Sequence, residues 1–251
     1  MRMLALVTPI LLAGVLARGE DAPPRWSGEA GLSFVRTTGN SSSSTLGAAF
    51  KLWRRDPLWK LGLTTALVRS KADELKTAER LDGALRVERG VGKRFAAYGQ
   101  ASYLRNAFAG IDGQENLEAG GLYKLATGPK HLLSLSGGLA YTSEQRVLPD
   151  ADRDFAGLRA ALAYRWQLGA TSDFVENIDY LQSLRNVDDG RLTHRAAVTA
   201  SLKGVFSMKL EHQLFYLKSP VLGKKQTDTT VLASLVAKWP APPPPCPCPV
   251  K

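Results

Sequence analysis

Cysteine is almost missing from this chain: Cys246 and Cys248 are the whole complement, both within the last six residues. Neither a disulfide framework nor a four-cysteine zinc site can be built from them. Histidine is nearly as scarce, with His131, His194 and His212 alone, which leaves little for a histidine-rich metal centre. No apolar run reaches the roughly 20 residues that a membrane-spanning helix needs. Past residue 25 no helical stripe recurs either. Acidic residues are outnumbered, 23 against 33 Lys+Arg for a net charge of +10 over 251 residues. The basic residues are nonetheless scattered rather than gathered into the stripe of a nucleic-acid binder. At 44% hydrophobic and 22% charged, the chain is not disordered. Glu115, Glu118, Asp150, Asp152 and Asp154 lack the spacing of a calcium loop, no phosphate-binding loop occurs, and no cofactor is expected.

The two ends stand apart from the rest. Met1-Arg2-Met3 precedes an apolar stretch, Leu4 to Ala17, interrupted by Thr8, Pro9 and Gly14. A cationic start, a short apolar stretch and small residues at its end are the parts of a secretory signal, expected to span 1–17 and to be cut after Ala17. Residues 18–25 are then expected to form a short periplasmic lead-in. At the other end, positions 240–251 hold seven of the 14 prolines. Proline fixes φ and lacks a donor, so this tail is expected to be extended and disordered. Cys246 and Cys248 within it could bind a soft metal or cross-link to a partner.

What fills the interval 26–239 is alternation with period two, the mark of strands with one apolar face. Trp26, Gly28, Ala30, Leu32 and Phe34 interleave with Ser27, Glu29, Gly31 and Ser33, and Leu81, Gly83, Leu85 and Val87 enclose Asp82, Ala84 and Arg86. Twelve such segments can be marked, most of 9 to 11 residues, which is the length of a tilted transmembrane β-strand. The apolar face carries one charged residue, Glu176. The interleaved face carries ten basic residues (Lys51, Lys60, Arg80, Arg86, Lys124, Arg159, Arg165, Arg195, Lys209 and Lys238) and seven acidic ones (Glu29, Asp82, Glu88, Glu118, Asp173, Asp179 and Glu211). A Lys or Arg facing lipid at mid-depth costs about 2–4 kcal/mol, which accounts for their absence from the apolar face.

Connections and aromatics separate a membrane barrel from a soluble sandwich or a soluble periplasmic barrel. Links after odd-numbered strands are long, at 35–45, 68–80, 104–116, 142–155, 183–191 and 217–230, while those after even-numbered strands are tight turns. Long outer loops and short periplasmic turns alternate in this way in outer-membrane barrels. Trp26, Trp59, Tyr123, Trp166 and Trp239 gather at the turn ends, where a membrane interface favours amphipathic rings. The sequence thus predicts an all-β fold: a transmembrane antiparallel up-and-down β-barrel of about 12 strands.

Particular residues carry a family likeness. Trp26-x-Gly28, Thr38-Gly39-Asn40-Ser41, and Ser219-Pro220-x-x-Gly223-Lys224-Lys225-x-Thr227-Asp228-Thr229-Thr230 before a last strand resemble the YdiY-like, salt-induced outer membrane proteins, the family called domain of unknown function 481. Gly120-Gly121-Leu122-Tyr123 and Gly137-Gly138-Leu139-Ala140-Tyr141 resemble its glycine-aromatic strands. The chain departs from the family at Trp239, where an aromatic C-terminus is followed by proline, and at Leu217-Lys218, where polar residues commonly stand. The resemblance implies an outer-membrane barrel and brings no established activity with it.

Function then turns on the lumen, with Lys60, Arg80, Asp82, Arg86, Glu88, Glu118, Arg159, Arg165, Arg195, Lys209 and Glu211 as candidate lining. Twelve strands fall between barrels that side chains fill and barrels that leave a channel. If opposite charges pair, with Arg80, Asp82, Arg86 and Glu88 engaging Glu118 and Lys60, the lumen is plugged and the protein is a structural or envelope-stress barrel. If the basic excess prevails, it is a narrow channel for small anionic solutes. A lipid-modifying enzyme is the remote third reading, with His194 at the outer end of its strand and Ser183 across a loop. No catalytic residue is assigned. Expected partners are outer-membrane lipid and lipopolysaccharide and the barrel-assembly machinery, with no nucleic acid.

Overall fold

The computed structural model describes residues 25–37, 43–73, 75–147 and 151–240. The expected signal segment, the Thr38–Ser41 motif and nearly all of the proline tail lie outside the described residues. Twelve strands follow one another: β1 (Trp26–Thr37), β2 (Ser43–Arg55), β3 (Trp59–Ala72), β4 (Leu75–Gly90), β5 (Phe95–Asn106), β6 (Ile111–Thr127), β7 (His131–Arg146), β8 (Arg153–Gln167), β9 (Ser172–Ser183), β10 (Gly190–Ser201), β11 (Phe206–Leu217) and β12 (Thr227–Trp239). Each pairs antiparallel with its sequence neighbours, and β1 pairs with β12 to close the barrel. Closure leaves no open sheet edge, which is what lets a sheet cross a membrane.

Alternation sorts side chains to the two surfaces. Leu32 is 67% exposed on the outer wall while Ser33 beside it is 6% exposed and faces inward; Val231 and Leu232 repeat the pattern at 62% and 8%. Leucines exposed on the wall of a closed barrel face lipid. The closing pair explains the Trp26-x-Gly28 motif. Gly28 sits in register with Trp239, and a Cβ on Gly28 would collide with the Trp239 indole, so glycine lets that ring lie flat over the seam.

The links after even-numbered strands are short turns, 56–58, 91–94, 128–130, 168–171 and 202–205, and they share one end of the barrel with Trp26 and Trp239. The other end, the loop end, differs from expectation. Its strands run 12 to 17 residues and absorb most of the residues expected in loops. The link after β3 shrinks to 73–74, with Arg69 paired to Glu79 and Ser70 to Ala78. Likewise Ser143 pairs with Asp154 and Glu144 with Arg153. Beyond the lipid both faces of a strand meet polar surroundings, so hydropathy loses its period while the hydrogen-bond ladder continues.

Candidate functional site in the barrel lumen

At the loop end the interior is filled by side chains. Glu144, whose side chain is fully buried, receives Arg146 at 2.7 Å and Arg153 at 3.0 Å, and pairs with Arg191 as well. Arg153 reaches on to Asp189 at 2.9 Å, and Arg191 donates to Gln114. Gln114 in turn donates to Asn116, which also accepts from Thr142. Beside this polar network lies an apolar cluster of Ala109, Ile111, Phe215 and Leu217, with Leu104 against it. β6 and β11 stand on opposed walls, so the cluster bridges the lumen.

The link 218–226 folds over this packing. Val221 is 2% exposed, and Gly110 lies beneath it with φ of 88°; a Cβ there would collide with the valine. Gly110 belongs to the β5–β6 connection, half a circuit from the β11–β12 connection that carries Val221. The Ser219 carbonyl accepts from Arg146 at 3.2 Å, and the Ser219 hydroxyl donates to the Asp188 carbonyl at 2.7 Å. The link thereby contacts the β7 end and the β9–β10 connection as well as the β5–β6 one.

Deeper in, one ion pair crosses the barrel centre. Arg195 of β10 reaches Asp82 of β4 at 3.1 Å, although the two strands are six places apart in either direction around the barrel. Arg80 shares Asp82 at 3.2 Å and lies over the Phe215 ring at 4.9 Å. On the adjoining wall Arg159 pairs with both Glu118 and Asp179, and Tyr98 donates to Glu118. Lys209 pairs with Glu211, and lies 3.8 Å from Glu29.

Towards the turn end the pairs loosen. Lys60 meets Glu88 at 3.5 Å and lies over the Trp53 ring at 4.1 Å; Lys238 meets Asp173 at 3.6 Å. Between the tight and loose regions runs a cavity of about 650 Å³. Nine lysines and arginines against six aspartates and glutamates line it.

Of the candidate lining residues, Lys60, Arg80, Asp82, Arg86, Glu88, Arg159, Arg195, Lys209 and Glu211 border the cavity. Glu118 points inward but is withdrawn behind Arg159 and Tyr98, and it does not engage the Arg80–Glu88 group as expected. That group pairs within itself, Arg80 with Asp82 and Arg86 with Glu88 at 2.8 Å, because i and i+2 on a strand share a face. Arg165 stands apart from the cavity near the turn end, half exposed and 3.8 Å from Asp173. Trp26, Trp59, Tyr123, Trp166 and Trp239 all lie near the turn ends of their strands, with Arg54 over Trp26 and Arg89 over Trp59. Glu144, Arg146, Arg153, Asp189 and Arg191 were outside the sequence reading, because the spans 142–155 and 183–191 read as loop. Parity offers the missed signal: 140, 142, 144 and 146 continue one face of β7, and 191, 193 and 195 one face of β10.

His194 is not near Ser183. It lies inside β10 on the outer wall, 3.0 Å from Glu176, while Ser183 caps the 184–189 link by accepting from the Arg185 and Asn186 backbone.

Known proteins agree with this architecture. A family model described as "Protein of unknown function, DUF481" matches residues 29–239. No curated protein matches the chain in sequence. In structure it is similar to the COG4313 outer membrane channel from Pseudomonas putida F1, with a TM-score of 0.53 and 9% identity over 90% of this chain and 100% of that one. It is similar also to the NanC porin, with a TM-score of 0.50 and 8% identity over 84% and 98% of the two chains. Identities this low speak for the fold alone.

Proposed function

The chain belongs to the DUF481 family, and from that premise we propose that it is an outer-membrane barrel held shut by its own side chains, a structural or envelope-stress element rather than an open pore. The observation that carries this reading is the Arg195–Asp82 pair, which bars the lumen across its full diameter at 3.1 Å. The loop-end packing around Glu144 and under Val221 supports it with a second barrier. In this reading the turn end, where β1 begins and β12 ends, faces the periplasm, and the loop end faces out towards lipopolysaccharide. Export by a cleaved signal and insertion by the assembly machinery belong to the same proposal.

A second reading has one observation of its own. The nine-to-six basic excess around the cavity favours small anions, should the bar and cap open. The porin and channel named among the structural relatives share the fold with either reading. Enzymatic action on lipid gains nothing from the wall: among the described residues no serine or threonine hydroxyl is hydrogen-bonded to the His194–Glu176 pair.

Planar-bilayer conductance separates the first two readings. The mature wild-type barrel should insert and stay silent, and the double variant Asp82→Ala, Arg195→Ala should conduct with a reversal potential favouring anions across a KCl gradient. Steady anion-selective steps from the wild type would overturn the sealed barrel and establish the channel. Silence from the double variant would mean that the cap alone suffices.

A further inference from the structure

All three histidines of the chain lie on the outer wall, and they lie together with Glu176, a carboxylate on the same wall. Strand register lines them up. Tyr164 of β8 is in register with Glu176 of β9, Glu176 with Ala196 of β10, and Ala196 with His212 of β11. Two further histidines attach diagonally to this row. His131 of β7 bonds the Tyr164 hydroxyl through Nδ1 at 2.8 Å, and His194 bonds Glu176 through Nε2 at 3.0 Å. The His194 and His212 rings are 6.1 Å apart. A polar belt thus crosses five neighbouring strands, starting at the first residue of β7 and ending in the middle of β11.

Its inner part, Glu176, His194 and His212, is out of place in hydrocarbon. Lipid tails offer no hydrogen-bond partner, so polar side chains at this depth are costly unless something polar covers them. The alternate positions of β4 on the far wall, Leu81, Gly83, Leu85 and Val87, are apolar throughout the corresponding depth. A shallow recess over Gly121, Gly137 and Ala160 adjoins the belt through Ile178 and Tyr180 and gives that wall relief as well as polarity.

We infer that the β7–β11 wall is the contact face for a second copy of this chain within the membrane. The patch is self-complementary: it holds a carboxylate and, in His212, an imidazole without a hydrogen-bond partner among the described residues. A two-fold axis along the membrane normal repeats the same patch on both sides, and sets acid and imidazole of one copy against imidazole and acid of the other. A different protein would need its own matching charges, and lipid has none at that depth. The inference rests on the membrane reading but not on the lumen being shut.

Cysteine cross-linking tests it on the full mature chain in outer-membrane vesicles, in a Cys246→Ser, Cys248→Ser background. A short bis-maleimide should convert Ala196→Cys to a species of twice the monomer mass, and should leave Leu85→Cys on β4 monomeric. Both positions remaining monomeric, both cross-linking alike, or Ala196→Cys joining only another protein would each overturn the proposal. Heat-dependent gel mobility of the same samples reports insertion as a barrel, so a failure of the membrane reading is seen separately. Glu176→Leu with His212→Leu, which suits lipid better than the native residues, should weaken self-association in detergent by about tenfold, the worth of one polar contact between membrane segments. Unchanged association of that variant would also overturn it.

Discussion

The two halves of the lumen hold charge in different ways. At the loop end one fully buried carboxylate, Glu144, is shared by three arginines within a network that runs through Asp189, Gln114 and Asn116. At the turn end Arg165 and Lys238 both lean on Asp173, at 3.8 and 3.6 Å, with the Arg165 side chain 51% exposed. Buried ion pairs stabilise only when each member has several good partners; exposed pairs contribute little in any geometry. The densely paired part of this lumen is therefore its loop end and centre, and the turn end is a wetted collar.

The sharpest way to break that comparison is Glu144→Ala. It leaves buried Arg191 and the half-buried Arg146 and Arg153 without their shared carboxylate, and should destabilise the barrel by about 3–5 kcal/mol in urea unfolding from detergent micelles. A loss below about 1 kcal/mol would place the loop-end network among ordinary surface pairs. A middle-sized effect is expected from Gly110→Val. The valine meets both an unfavourable positive φ and the Val221 side chain, a strain of about 1–3 kcal/mol. The 218–226 link should be displaced, which trypsin would report as faster cleavage after Lys224 and Lys225; unchanged cleavage would mean that Val221 does not hold the link down. The smallest effect belongs to the collar: Arg165→Gln should change stability by less than about 1 kcal/mol, and a larger loss would erase the distinction between the two ends.

The fold was legible because lipid imposes a strict rule on strands: one parity must stay apolar while the other is free. Leu81, Leu85 and Val87 against Asp82 and Arg86 announce β4 for that reason. The rule lapses outside the bilayer, which is why 142–146 and 153–155 read as loop although they are paired strand. Individual lining residues could be placed by parity, but partners could not. That Arg195 would meet Asp82 depends on which strands face each other across a closed barrel, and closure is a fact about the whole ring. The belt is a similar case: Glu176 stands out on the apolar face, and only strand register brings it and His212 to either side of Ala196.

The seam between β1 and β12 also orders events in time. Eleven junctions join strands adjacent in the chain and can form hairpin by hairpin, whereas Gly28 must wait for Trp239 at the other end of the sequence. The seam has five residue pairs in register, from Gly28–Trp239 to Leu32–Leu235, against twelve between β1 and β2. Joining residues so far apart in sequence is slow, and until it happens two bare strand edges can capture another chain. The newborn protein is thus a curled ribbon with a sticky selvedge at each end, and it becomes inert only when the last stitch is drawn.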